Sequence, residues 1–399
     1  ESALFQSTLR RADPSVWSPF DEESDGRPQL RKAVGYSEMR EHDEQAAALF
    51  DALYSTDEKD ADLRVGFRGR PSIGAAVMAS NLSLEDAEPW KTFKTLVESD
   101  TSSNETARIF LCGSVFGGTG ASGLPTIAKL IRQELQKGDD VQFEISCGLV
   151  LPYFSFDGSP DDDGPFASAN SFIPNTQSAL KYYWDKRHDD LFDSMYVLGD
   201  PAMSAVGEAS VGGPRQNNRP HFIEMLVGLG AADFFHQGAG SGAVAMMARS
   251  SHEQLEWDDL PYPAPTKLRR RLSQLVHFAF AYVSTYKPAL NAIRAGQKPA
   301  YAFPWYIDLV RNKGVDLNDD RDWQQFEHVE SYTESLLRWV AEVHATSRYT
   351  DTLLFDVQAF ARSEREGLGV KLKPEETMRR ERFGYLDNPD RQADEPVLA

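Results

Sequence analysis

The chain has 399 residues, 41% of them hydrophobic, with a formal net charge of −19. That length allows two domains and that composition a sizeable core, while the acidity argues against non-specific binding to nucleic acid or to an anionic membrane surface, since both need a basic face. No apolar run approaches the roughly 20 residues that span a bilayer, and no signal peptide is visible. Cys112 and Cys147 each sit in an apolar run and read as small core residues of a reducing, cytoplasmic protein, not as a disulfide or a metal site.

Residues 1–40 read as irregular and polar. A start at Glu1 without Met, running straight into a polar, Pro-containing stretch, reads as a chain whose true N-terminus is missing. Asp43–Tyr54 has helical apolar spacing at Ala46, Leu49, Phe50 and Leu53. A glycine/arginine loop, Gly66–Gly74, opens into apolar Ala75–Ala79, and Trp90–Val97 reads as another helix. Arg108–Cys112 predicts a short buried strand, Gly113–Gly123 a glycine-rich connection, and Pro125–Leu135 an amphipathic helix with proline in its first turn. Val141–Leu151 predicts a second strand, so this stretch is a βαβ unit and the sheet is parallel.

Asn175–Lys186 then reads as a helix, Phe192–Leu198 as a third strand, and Ala202–Asn218 as a small-residue loop. Pro220–Gln237 is a long apolar helix, followed by a flexible break at Gly238–Gly242. Thr266–Ala295 predicts mostly one helix, interrupted near Pro288. Tyr301–Val310 has strand character, Ser331–Ala345 and Asp351–Ser363 read as helices, and the last 30 residues as a charged tail.

The chemistry concentrates in glycine-rich loops. Gly117-Gly118-Thr119-Gly120 stands between a predicted strand and a helix N-terminus, which offers consecutive backbone N–H groups and the positive helix end to an anion. Glycine is expected there because a Cβ would block a phosphate and because such turns visit φ > 0. The Thr119 hydroxyl is placed to donate to a phosphate oxygen. The four residues alone also fit a plain tight turn or a dinucleotide fold, with Asp139 or Asp140 as its later acid. The eight histidines show no metal-ligand spacing, and no Gly-x-Ser-x-Gly or Cys/His nucleophile pattern occurs.

Taken through Ala128, the stretch from Gly117 (GGTGASGLPTIA) resembles the signature loop of FtsZ and tubulin. It keeps the GGTG, the following Pro125 and the Ile127-Ala128 pair. It departs at Ser122, where the family has Gly, and at Phe116, where the family has a small residue. Gly66–Gly74 resembles the FtsZ loop facing the terminal phosphate, with Gly66, Gly69, Pro71 and Gly74 in register. Leu151–Gly158 is similar to the strand end that approaches the ribose, with Asp157 in place of the family's Glu. Asp200 falls where the family has an Asn near the base. Pro220–Gln237 would be the core helix between domains, with Glu224 aligned to the carboxylate that reads guanine, or acting simply as a first-turn acid. Asn217, Asn218 and His221 are alternative base contacts.

The resemblance implies a parallel, doubly wound (Rossmann-like) tubulin/FtsZ-type nucleotide-binding domain over residues 1–237, including a core helix at 220–237. A linker and catalytic-loop region over 238–265, a mainly helical C-terminal domain over 266–365 and a tail over 366–399 would follow. The implied ligand is GTP or GDP, with Mg²⁺ carried by the phosphates, held by the named glycines together with Thr119, Ala121, Asp157, Asp200, Asn218 and Glu224. The first phosphate loop of the family would lie upstream of Ser7. Its catalytic Asn-x-Asp-x-x-Asp loop has no clean match, and Asp258 and Asp259 are the nearest water-orienting acids, or plain solvated acids. Arg68 and Arg70 have no family counterpart. One of them is expected near the terminal phosphate in an arginine-finger role, or in a surface salt bridge.

The expected function is slow GTP hydrolysis with self-assembly into a homo-oligomer or filament, without direct nucleic-acid or membrane partners. A non-polymerising nucleotide sensor signalling through C-terminal helices and an NAD(P)-dependent oxidoreductase are the alternatives.

Overall fold

The computed structural model describes residues 29–63, 66–67, 69–81, 90–102, 106–136, 141–157, 169–186, 191–200, 203–208, 220–236, 244–248, 260, 265–297 and 304–348. The chain divides into two compact units: residues 1–216 with 226–249, and residues 217–225 with 250–399.

The first unit opens with four short helices: α1 (Leu30–Ala33), α2 (Tyr36–His42), α3 (Glu44–Leu53) and α4 (Thr56–Asp60). Local chemistry sets their ends. The Asp43 side chain accepts from the Ala46 N–H, and Ser55 and Glu58 form a reciprocal capping box at α4. Phe50, Leu30, Leu63 and Phe67 form an apolar cluster with Ile73, Val77 and Met78 of α5 (Pro71–Asn81). Of the four apolar positions that signal helix α3, Phe50 is buried while Leu49 and Leu53 are exposed.

After α6 (Trp90–Ser102) comes a parallel sheet. Its strands β1 (Ala107–Ser114), β2 (Phe143–Val150), β4 (Ser194–Gly199) and β6 (Val244–Ala248) lie side by side in that order. Helix α7 (Gly118–Leu135) connects β1 to β2, and α8 (Phe172–Asp185) lies between β2 and β4 in the chain. Ile109, Ile145, Cys147 and Leu149 pack against α7 through Leu124, Ala128, Ile131 and Leu135, and against Tyr183 of α8. Phe110 and Tyr196, on the opposite strand parity, face helix α9 (Phe222–His236); the Phe110 ring lies 6.1 Å from that of Phe234. The sheet thus has helices on both sides, an α/β arrangement compatible with a Rossmann-like fold. Central β2 is buried continuously from Ile145 to Val150, as a doubly covered parallel strand requires.

Several expectations are corrected. Cys112 is exposed, on β1, which is the edge strand of the sheet among the described residues; Cys147, on central β2, is buried. Helix α7 begins at Gly118, with Gly117 as N-cap, so Pro125 lies inside the helix and not in its first turn. Tertiary packing overrides the low helix propensity of Gly118–Gly123. The expected loop at 202–218 contains strand β5 (Ser204–Glu208), which pairs in parallel with β3 (Phe154–Asp157) in a separate two-stranded sheet. Strand β6 was not legible in Val244–Ala248.

The described part of the second unit is helical: α10 (Pro265–Ala281), a π turn at Tyr282–Tyr286, α11 (Lys287–Arg294), α12 (Pro304–Leu309) and α13 (Asp320–Arg348). The strand expected at Tyr301–Val310 is instead α12, with Pro304 as its first helical residue and Tyr306 and Val310 buried four residues apart. Helix α13 is longer at both ends than the Ser331–Ala345 span. The π turn falls where the sequence predicts an interruption, immediately before Lys287-Pro288. Lys287 is buried, ion-paired with Glu330 and 4.9 Å from the Trp323 ring centroid. Among the described residues no helix is long and apolar enough to cross a membrane. The expected break at Gly238–Gly242, the helix at Asp351–Ser363 and the tail lie outside the described residues.

Candidate functional site

All four main strands run in one direction, so Ser114, Val150 and Gly199 end at the same edge of the sheet. This edge, outside the carboxyl ends of the strands, is where ligands of open α/β sheets bind. Main-chain bonds tie the strand ends together: Val115 N–H donates to the Val150 carbonyl at 3.0 Å and Leu151 N–H to the Leu198 carbonyl at 2.8 Å. Beyond them, Ser204 N–H donates to the Tyr153 carbonyl at 3.0 Å, leading into the β3–β5 pair.

The two glycine segments that sequence reading singled out, some fifty residues apart, meet here. Gly66 has φ +90° and Gly69 φ +71°, conformations that favour glycine. Gly69 sits in a turn closed by the Arg70 N–H on the Phe67 carbonyl at 2.9 Å. A Cβ placed on Gly118 would lie 2.9 Å from the Phe67 Cβ and 3.0 Å from the Arg70 nitrogen. A Cβ on Gly66 would stand 3.7 Å from the Thr119 hydroxyl oxygen. Gly74 is pressed against the Ser122 side chain, whose hydroxyl donates back to the Gly118 carbonyl at 2.7 Å. Helix α7 thus presents its first turn, Gly118–Gly120, with the N–H groups that a helix leaves without intrahelical partners, beside an exposed Thr119.

Two of these glycines have a packing role that the expectation did not include. At Gly118 and Gly120 a Cβ would collide with the chain itself: with the 67–70 turn at Gly118, and with the Ser114 backbone at Gly120. They permit close approach of loop to helix and of helix to strand. Gly117 is less confined, its nearest such neighbour being the Ser114 hydroxyl at 3.1 Å.

Next to the loop, Phe116 is 3% exposed and fills the space between strand ends. Its ring lies 4.7 Å from that of Phe172 and 5.6 Å from that of Phe154. The Asn175 amide donates to the Phe116 carbonyl at 3.2 Å, so the first turns of α8 anchor the residue that precedes the glycines. This aromatic cluster was legible only as the departure of Phe116 from a small residue.

Of the other expected residues, Ala121 follows in the same helix, Asp157 closes β3 in register with Glu208, and Asp200 is buried just past the end of β4. Glu224 is exposed in the first turn of α9, within the stretch 217–225 assigned to the second unit. His221, in that stretch, is buried; its Nδ1 accepts from the Ile223 N–H at 3.2 Å, and burial pulls its pKa down to about 4, so it is neutral at pH 7. The Arg70 guanidinium is ion-paired with Glu58, the salt-bridge alternative for that residue. Burial alone would raise the Glu58 carboxyl, but the Ser55 N–H and hydroxyl together with Arg70 outweigh it and hold the pKa below the ordinary value. Arg68, Asn218, Asp258 and Asp259 lie outside the described residues. Among the described residues no group of three or more His, Cys, Asp or Glu is arranged to hold a metal ion.

No family model, no curated protein and no solved structure matches this chain.

Proposed function

We propose that the chain is a GTP-binding protein of the tubulin/FtsZ type, with slow hydrolysis of the bound nucleotide. The observation that carries this reading is the meeting of two separated glycine segments, Gly66–Gly74 and Gly117–Gly123, at the N-terminus of α7 beside the carboxyl end of β1. The resemblance assigns these same two segments to the terminal phosphate and to the phosphate cradle. A triphosphate fits the donors present: first-turn N–H groups, the positive helix end and the exposed Thr119 hydroxyl. Mg²⁺ would ride on the phosphates, neutralising their charge. Asp200 directly follows β4, whose end lies at that edge, and Asp157 closes β3, which leads on from the end of β2; in this reading they are the base and ribose contacts.

The second unit favours a variant of the proposal. Among its described residues there is no strand, whereas FtsZ and tubulin carry a sheet in their second domain. A nucleotide sensor that signals through helices without polymerising accommodates that difference.

The test is GTP titration of the full chain by calorimetry, with Thr119→Val and Asp157→Ala. A hydrogen bond to a charged group contributes about 1.5–3 kcal/mol, so each variant is expected to bind GTP roughly 10- to 150-fold more weakly. Wild-type affinity in both variants, or displacement of GTP by NADH, overturns the assignment.

A further inference from the structure

A groove of about 400 Å³ runs between α5, α7 and α8, on the outer side of the helices that follow the glycine loops. It shares Pro71, Ser72, Ala121 and Ser122 with the two glycine segments but touches none of Gly117–Gly120, so it adjoins the candidate phosphate cradle without including the first turn of α7. Its volume falls in the range of small-molecule sites, roughly 300–1,000 Å³. Its walls are unusual for this chain. The sequence holds 61 acidic residues, yet among the described residues no acidic side chain lines the groove. Among the described residues its one charged lining side chain is Lys129, whose ammonium lies 5.7 Å from the centroid of the Tyr182 ring and has no carboxylate partner. Hydroxyls of Ser72, Thr126 and Ser178 and the Asn175 amide share the lining with proline, alanine and tyrosine surface.

We propose that this groove binds a small amphipathic anion: a flat apolar or aromatic body carrying one carboxylate, sulfonate or phosphate. The Tyr182 ring and the neighbouring alanine and proline surface take the apolar body. Lys129 takes the charge, which elsewhere on a chain of net charge −19 meets repulsion. The Ser72 hydroxyl and the second N–H of the Asn175 amide are the neutral donors that orient the head group, since the Thr126 and Ser178 hydroxyls already donate to the Ser122 and Pro174 carbonyls. The occupant would also bear on the loop region, because Asn175 holds the Phe116 carbonyl and Ser122 packs on Gly74. The inference uses none of the residues on which the GTP assignment depends for its test, so either can fail alone.

The experiment is a fluorescence titration of the full chain with 8-anilinonaphthalene-1-sulfonate, a small aromatic sulfonate. Saturable binding at one site per chain is expected. Lys129→Glu should weaken it at least ten-fold, and Ala75→Phe, which puts a ring into the groove, should do the same. Lys181→Glu, an equal charge change at an exposed position on α8 paired with Asp185, should leave the affinity within two-fold of wild type. Circular dichroism and thermal melting confirm that each variant is folded. Should Ala75→Phe fail to fold, the contrast between Lys129→Glu and Lys181→Glu decides. Absence of saturable binding, wild-type affinity in Lys129→Glu, or an equal loss in Lys181→Glu overturns the proposal.

Discussion

Gly120 and Ser114 stand back to back: a Cβ built on Gly120 would lie 2.7 Å from the Ser114 nitrogen and nearer still to its carbonyl oxygen. The start of α7 is thereby seated directly on the end of β1. Neither the strand backbone nor the helix can yield without loss of sheet pairing, since Ser114 is in register with Val150 of β2. Gly120→Ala is therefore expected to destabilise the fold by about 1–3 kcal/mol or more through overpacking, measured as a lower urea midpoint. A loss of nucleotide binding in that variant would not locate the phosphate. Thr119, exposed on the same turn, is the position that separates binding from folding.

Arg70 is ion-paired with Glu58 of α4. Its partner Glu58 belongs to the capping box, so Arg70→Ala should lower stability by roughly 1 kcal/mol, the upper end for a partly exposed ion pair. GTP turnover per folded molecule should stay unchanged in that variant. Arg68→Ala, by contrast, should slow turnover even in dilute protein if that arginine acts within its own chain. A large loss of turnover in folded Arg70→Ala would overturn the division of roles.

Hydrolysis tests assembly. In the proposed class, water-positioning acids reach the nucleotide of a neighbouring subunit, so turnover should rise more than linearly with protein concentration. Asp258→Ala combined with Asp259→Ala should lower the rate and spare GTP affinity. Strictly proportional turnover, insensitive to both acids, would favour the non-polymerising sensor.

His221 makes stability depend on acid. Burial holds its folded pKa at about 4, against roughly 6.5 in an unfolded chain. The unfolded state therefore takes the proton first as pH falls. The contribution is fully present above pH ~6.5, declines down to about pH 4, and amounts to on the order of 3 kcal/mol. His221→Asn keeps an acceptor for the Ile223 N–H but cannot titrate there. Its urea midpoint should fall less than that of wild type between pH 7 and 4.5; identical pH slopes would show that His221 is already solvated.

The βαβ core was legible in the sequence because its signals are local: apolar runs at Arg108–Cys112 and Val141–Leu151 flank an amphipathic helix. The start of α7 was not, because glycine propensity argues against helix and only contacts with Ser114, Phe67 and Arg70, distant in sequence or across a turn, reverse that. Strand β5 escaped notice for a similar reason. Ser204–Glu208 (SAVGE) is small and polar, and acquires strand character through pairing with Phe154–Asp157. Leu49 and Leu53 show the reverse: four apolar positions signal helix α3, although two of them face outward. At the candidate site, the glycine positions were readable but their purpose was not. Sequence shows where a side chain is missing, and only packing shows what occupies its place.

The placement of the two cysteines on edge and central strands has a practical corollary. The native chain offers one accessible thiol, Cys112, whose pKa partial burial raises, and conceals the other, Cys147. Disulfide reagents should therefore count one group in the folded protein and two after denaturation. The rate at which the second appears times the opening of the sheet from within, with no label added.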